Sequence, residues 1–436
     1  MIIVDSALER RETAGSPVRI GLVGAGYMAR AIAQEFLTPI TGMRLVAIGN
    51  RTLSQADRAY RDGGVQTPRI VNSVAELEES VARGEYAITE DPTLLCRAGG
   101  IDAIIECTGQ IEFGSRIAMM TIEHGKHVIL VNAELDATLG PILKMYADRH
   151  GVVLTNTDGD EPGVAMNLYR FIKTIGLRPV LAGNLKGLID PYRTPETQKA
   201  FAEKSKQGAH MVTSFADGTK LAQETTILAN ATGFKVGKRG MYGHRCGHVK
   251  DVLQLFSPAE LLHDGGWVEY LLGAEPNNGA FVVGYTDHPA QQRYLSTFKM
   301  GDGPLYCFYT PFHLPHMQVV PTVARAVLFN DATVTARGGP MCDVITLAKR
   351  DLAAGETLDG IGGFTCYGVI ENADVALRDD LLPMGLAEGC RLTRAVAKDH
   401  VLSYRDVEVP AGRFCDRLRA EQNAHFGRPS VMQAIA

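Results

Sequence analysis

No run of like charges, no apolar stretch of membrane-spanning length and no Cys-x-x-Cys pair occurs in these 436 residues. Each absence removes a class of function. The formal net charge is only −5 and no basic tract is present, so nothing draws the chain to nucleic acid or to an anionic membrane surface. Apolar stretches such as Ile101 to Ile105 and His127 to Val131 are of strand length, far short of the roughly 20 residues a membrane span needs. The eight cysteines are scattered, several in apolar runs (Cys107 in IIECTG, Cys307 in LYCFY). Reduced, mostly buried thiols in a cytoplasmic protein are the expectation. The amino-terminal stretch MIIVDSALERRETAGSP has acidic residues throughout and no long apolar region, so it does not read as a signal peptide. A Ser/His/Asp nucleophile pattern, a G-x-S-x-G elbow, internal repeats and low-complexity segments are also missing.

What is present begins at VRIGLVGAGYMARAIA, Val18 to Ala33. Val18 to Val23 is a short run rich in β-branched residues, as expected of a buried parallel strand. Gly24, Gly26 and Ala29 follow as G-x-G-x-x-A. The first glycine allows a tight turn, the second lets a pyrophosphate approach the backbone, and the small third residue lets helix and strand pack closely. Met28, Ala31, Ile32, Phe36 and Leu37 continue at helical spacing, so the N–H groups opening that helix face the phosphates. A dinucleotide site is predicted here, contacted by Gly24, Gly26, Tyr27, Met28 and Ala29.

Beyond this unit the pattern alternates strand and helix up to residue 158, which predicts a doubly wound parallel sheet. Asp5 to Thr13 reads as a short helix, Arg44 to Ile48 and Arg69 to Val71 as strands, and VNSVAELEESVARG as a helix capped by Asn72 or Ser73. Glu85 to Gly100 reads as an extra helical insertion. IDAIIECTG is a strand ending at Thr108-Gly109, Ile117 to His124 a helix, Lys126 to Val131 a strand closing with NAELDATLG, and Ile142 to His150 a helix. Ligands of such sheets lie beyond the carboxyl ends of the strands, which places Thr108, Gly109, Asn132, Glu134 and Asp158 around the cofactor. At the end of the second strand, where an NAD site usually carries an acid, stand Asn50 and Arg51. Arg51 suits a 2′-phosphate and so NADP; an ordinary solvated arginine is the other reading.

An α+β substrate and catalytic domain is expected over 159–345 and a small β-rich domain over 346–436, after a dinucleotide-binding domain over 1–158. Gly163 to Ile175 and Phe201 to Gly208 read as helices, LAGNLKGLI as a strand and Leu221 to Ala231 as a helix with an apolar face. Strands are expected between Gly266 and Tyr309, then a short helix over Thr322 to Leu328 packing back on the first domain. From Thr346 on, short strands and glycine turns with no long helix are expected.

Three clusters carry candidate chemistry. Asp158, Asp160 and Glu161 place three carboxylates in four residues; they suit a hard divalent cation, and equally the capping of the following helix. Lys186 in GNLKG and Lys220, with Asp190 and Asp217, are candidates for phosphate binding and proton transfer. Arg193, Lys238 and Arg239, near His244 and Arg245, suit a substrate phosphate, or a solvated loop. His244-x-Cys246-x-His248 has three ligand types too close together, without a distant fourth, for a zinc site.

Taken together, GLVGAGYMA, GNR, IIECTG, VNAELDATLG, TDGDEPG, GNLKGLID, ADGTKLAQETTILANATG and AKRDLAAGETLDGIGG resemble the homoserine dehydrogenase-like oxidoreductases with a C-terminal SAF domain. Within them the chain is most similar to the 1-deoxyxylulose 5-phosphate reductoisomerase-like enzymes, and the resemblance runs from Val18 to Val409. It implies a Rossmann domain, NADPH, a divalent cation (magnesium or manganese), a sugar phosphate substrate and a homodimer. Lys186, Asp190, Asp217 and Lys220 would be catalytic, with Lys186, Arg193, Lys238 and Arg239 binding substrate and Asp158, Asp160 and Glu161 the metal. Homoserine dehydrogenases proper separate their Asp and Lys by four residues; here Asp217 and Lys220 are three apart and the GNLKGLIDPYRTPE loop is foreign to that pattern. Relatives acting on branched sugar acids, and an NADP-binding sensor without turnover, are the other readings.

Overall fold

Val18–Val23 forms β1 at the centre of a seven-stranded sheet in the computed structural model, which describes residues 3–38 and 40–427. Before it lies α1 (Val4–Thr13). After it come α2 (Tyr27–Leu37), β2 (Met43–Gly49), α3 (Leu53–Asp62), β3 (Arg69–Ile70), α4 (Val74–Ala82), β4 (Ala87–Thr89) and α5 (Thr93–Arg97). The chain then crosses to β5 (Ala103–Glu106), α6 (Ile111–Glu123), β6 (His127–Leu130), α7 (Ala133–Arg149) and β7 (Leu154–Asn156). The order is β3-β4-β2-β1-β5-β6-β7, every pair parallel. The winding reverses between β1 and β5, where doubly wound sheets open a crevice. Helices cover both faces, and the strands are near-continuous apolar runs as that burial demands. Ile20, Leu22, Leu45, Ile48 and Ile105 face one core with Ala29, Ile32 and Tyr60. Val23, Val46 and Ile104 face the other with Leu77, Leu95 and Ile117.

Local chemistry explains most boundaries. Ser73, not Asn72, caps α4, its hydroxyl accepting from the Glu76 amide at 3.2 Å. The segment expected to be purely helical before Gly100 contains β4, three residues that wedge between β3 and β2. NAELDATLG is the first half of α7, and Asn132 caps it by accepting from the Leu135 amide at 3.0 Å.

The chain divides into two compact units, the first comprising Met1–Asp136, Leu143–Gly163 and His313–Thr335. The second holds residues 164–312, most of the stretch expected as the substrate domain, together with the carboxyl-terminal module. Here α8 (Glu161–Thr174) leads to β8 (Arg178–Lys186), α9 (Lys199–Ser205), α10 (Ala209–Ala216), α11 (Thr219–Thr232), β9 (His244–Arg245), α12 (Pro258–His263) and β10 (Trp267–Leu272). Next are β11 (Ala280–Tyr285), α13 (Pro289–Thr297) and β12 (Leu305–Thr310); the mixed sheet has the order β12-β11-β8-β10-β9. Helix α13 interrupts a region expected to be strands alone. Helix α14 (Val319–Phe329) belongs to the first unit, with Val319, Val323, Ala324 and Ala326 in its core as expected of a helix packing back.

In the carboxyl-terminal part, β13 (Cys342–Ala348) and β14 (Cys366–Asn372) form an antiparallel ribbon, followed by α15 (Ala373–Arg378), β15 (Arg391–Leu392), β16 (Val407–Glu408) and α16 (Phe414–Phe426). The 13-residue α16 contradicts the expectation of no long helix there. Its buried stripe is Cys415, Leu418, Arg419 and Gln422, and two polar members hide the apolar period. Arg419 pairs with Asp343 and donates to the Thr138 carbonyl. Helix α11 packs against β8, β10, β13 and β14 and is buried on every side except at Lys220, rather than on one apolar face. No helix among the described residues is long and apolar enough to cross a membrane.

Candidate active site

In the first unit the crevice is built from backbone. Gly24 has φ +110°, donates to the Gly49 carbonyl at 2.9 Å, and would place a Cβ 2.8 Å from the Cys107 carbonyl oxygen. Only glycine fits that turn. Gly26 is different: its backbone is ordinary, and a Cβ there would meet nothing within 4 Å. It caps α2 without a side chain, leaving the N–H groups of the first turn open toward that space. Ala29 is fully buried in the core, Met28 packs against it, and Tyr27 is exposed at the rim. These residues fit a dinucleotide pyrophosphate. Arg51 is exposed past β2 with no hydrogen-bond or ion-pair partner among the described residues, while Asn50 turns its amide onto the Thr52 carbonyl.

Thr108 and Gly109 (φ +68°) follow β5 at the same end of the sheet. Their anchor is Glu106, which sequence reasoning missed. Its carboxylate accepts from both the amide and the hydroxyl of Thr108, and it is fully buried. Burial pushes its pKa up to about 7, against the Thr108 hydrogen bonds. A lone carboxylate ending the apolar run AIIE was the available signal. Asn132, expected near the cofactor, spends its side chain on the Leu135 amide and the Gln110 carbonyl, and Glu134 is buried.

The acidic loop does not fit a divalent cation. Asp158 already receives Arg325 Nη1 at 2.7 Å, Thr322 Oγ1 at 3.0 Å and Thr333 Oγ1 at 2.6 Å. A buried guanidinium neutralises it, and a metal there would meet that charge at close range. Glu161 opens α8 with His313 Nδ1 at 3.7 Å, and Asp160 helps burial push Asp136 up to about 7. Among the described residues no group of three or more His, Cys, Asp or Glu gathers as a ligand set. Asp158, one of the three carboxylates expected to hold a metal, is held by Arg325 instead. His244 instead stacks on Tyr242, and His248 Nδ1 accepts from the Lys250 amide. All eight cysteines are free thiols.

In the second unit, Lys186 ends β8 and donates to Glu224 Oε2 at 3.1 Å, as does Asn184 at 3.0 Å. Asn184 and Lys186 share a face of the strand by its period of two; Lys220 and Glu224 share a face of α11, one turn apart. The polar centre is thus Asn184, Lys186 and Glu224, with Lys220 beside Glu224; Glu224 was not anticipated. Asp190 pairs with Arg193 at 2.9 Å. Asp217 is closed off: Oδ2 accepts from Lys349 at 2.9 Å and Oδ1 from the Thr219 amide at 2.9 Å, which does not suit a proton carrier. Of the expected phosphate cations, Arg239 is bound to Glu371 at 2.7 Å and Lys238 lies over the Tyr242 ring at 5.1 Å. Arg193, Lys238 and Arg239 therefore each have their own partner instead of forming one open patch.

Residues 159–319, which hold this polar centre, match the family model described as oxidoreductase DRL, catalytic domain. The segment is similar to an oxidoreductase catalytic domain. A comparison with curated proteins finds no match. Among solved structures, myo-inositol dehydrogenase from Lactobacillus casei, in complex with NAD(H) and myo-inositol, is 18% identical over 41% of this chain and 49% of that one, at a TM-score of 0.29. The chain thus spans about half the length of that protein. A probable dehydrogenase from Thermotoga maritima is 14% identical over 72% of this chain and 90% of that one, TM-score 0.39. Myo-inositol 2-dehydrogenase from Lactobacillus plantarum is 11% identical over 73% and 91%, TM-score 0.37.

Proposed function

We propose that this chain is an NADPH-dependent reductoisomerase converting 1-deoxyxylulose 5-phosphate to 2-C-methylerythritol 4-phosphate, a step of isoprenoid biosynthesis. The observation that carries the reading is the family match over the segment holding Lys186, Asp190, Lys220 and Glu224. The Gly24 and Gly26 cradle supports the nicotinamide cofactor, and the unpartnered, exposed Arg51 supports a 2′-phosphate on it.

NADPH, when bound, supplies the hydride that reduces the rearranged aldehyde. Lys186, steadied by Glu224, and Lys220 hold the oxyanion that forms as the carbon–carbon bond migrates. The same ammonium groups give up the proton that the alkoxide takes on reduction, and Asp190 moves the proton of the substrate hydroxyl. Asp217 keeps the start of α11 in place rather than moving protons. A homodimer in the cytoplasm, where unpaired thiols persist, completes the proposal.

The test is a fluorescence titration of NADPH, then addition of 1-deoxyxylulose 5-phosphate with and without magnesium or manganese. Oxidation of NADPH together with a methylerythritol phosphate product is the expected result. Oxidation only with another polyol phosphate or sugar acid would replace the substrate and keep the oxidoreductase. Binding without turnover on any of them would leave a sensor.

A further inference from the structure

Lys349, at the end of β13 in AKRDLAAGETLDGIGG, takes no part in the function proposed above. It is only 4% exposed, and its ammonium donates to Asp217 Oδ2 at 2.9 Å and to the carbonyls of Arg193 and Gly363, both at 2.8 Å. An ammonium has three N–H donors, and all three are used. Lys349 therefore binds no ligand; it joins the end of α10, the loop after β8 and the turn leading to β14. A second tie lies on the same loop. Tyr192 donates its hydroxyl to Asp399 Oδ2 at 2.9 Å, Tyr367 donates to Asp399 Oδ1 at 2.9 Å, and Lys398 Nζ sits 3.3 Å from the centre of the Tyr192 ring. The loop adds its own bonds, the Asp190 amide to the Ala216 carbonyl at 2.8 Å and Arg193 to Asp190.

We propose that the carboxyl-terminal module is the positioning element of the substrate loop, with Lys349 and Asp399 fixing Asp190 to Arg193 and the Asp217 turn from which α11 and Lys220 start. The identity of the substrate rests on the reading under Proposed function; the positioning does not. Lys349 and Asp399 are positioning residues, acting through the loop without contact to a reacting atom. The module's ribbon and α11 pack together, and the Gly368 amide donates to the Thr219 hydroxyl at 2.9 Å, so the tie reaches the first turn of that helix.

The variants Y192F and D399N, in the full-length protein, each weaken one surface tie. Asparagine tolerates the left-handed backbone of Asp399 (φ +66°), so the fold is kept. Amide exchange over residues 188–194 should speed up about tenfold in both variants, with exchange in β1 and α2 unchanged. KM for 1-deoxyxylulose 5-phosphate should rise several-fold and kcat should fall, because Asp190 sits on the loosened loop, while the NADPH Kd holds. The buried variant K349Q leaves Asp217 without its cation, and adding D217N to it should restore part of the lost folding and of the loop protection. Unchanged exchange over 188–194 in both Y192F and D399N overturns the proposal. So does faster exchange with an unchanged KM. If the wild-type protein does not turn over the sugar phosphate, the functional reading fails and the exchange result alone decides the positioning.

Discussion

The cradle of the first unit and the polar helix of the second are built by opposite means. The cradle is one contiguous stretch, Val18 to Ala33, and its working parts are bare backbone at Gly24 and Gly26. The second unit instead buries Gln223, Glu224, Thr225, Thr226 and Asn230 on α11 and draws their surroundings from β8, β13 and β14. A site made of backbone can be altered without touching the core. A site made of buried polar side chains cannot, because each one left unpaired costs folding free energy. The buried acids differ in another way. Asp158 and Asp217 have cations 167 and 132 residues away in sequence, and burial still raises the Asp217 pKa; Glu106 and Asp136 are pushed up to about 7 by burial.

The largest effect should come from breaking a long-range pair. Arg325→Met strands the Asp158 carboxylate in the core and should cost about 3–5 kcal/mol in urea unfolding. If instead it folds normally and gains affinity for manganese, the metal reading of the acidic loop returns. Next is Glu106. Its pKa is raised from 4.5 to about 7 on folding, so the native state binds more protons and stability falls as pH rises through that window. Glu106→Gln should remove that loss, making the variant more stable than wild type at pH 8 by up to about 3 kcal/mol. Equal pH slopes for the two proteins would show that Glu106 is ionised throughout. Gly26→Ala then tests the cradle: the Cβ meets only open space, so thermal stability should hold while NADPH affinity drops roughly 10–100-fold. Loss of stability, or full affinity, would break the contrast drawn between the two units. The smallest effect is at Arg51, where Arg51→Ala should lower the preference for NADPH over NADH about tenfold, read by paired titrations.

Much of the first unit is legible in the sequence. The strand–glycine–helix unit, the Ser73 cap and the return of the chain over 319–329 follow from residues close together in sequence. Strand β4 was not readable, because three residues carry no detectable period. Helix α16 was obscured by Arg419 and Gln422 standing in its buried stripe, where they satisfy a carbonyl and an amide of α7 beside Pro141. The polarity of α11 suggested one wet face, and the ribbon β13–β14 covers it. Among site residues, Lys186 stood out as a cation in a strand, and Glu106 as an acid in one was equally visible but unused. Glu224 became significant only once β8 was seen beside α11.

By itself the sequence determined the doubly wound sheet, the place of its glycine cradle and the presence of two lysines and several acids in the second unit. Those depend on period, turn geometry and side-chain size, which act over a few residues. Only the tertiary structure decided which acids are taken up by buried cations. Asp158 looks like a metal ligand and Asp217 like a proton carrier in sequence, and both are closed ion pairs in space, since Coulomb attraction and desolvation are set by what lies within about 4 Å, not by what lies next in the chain.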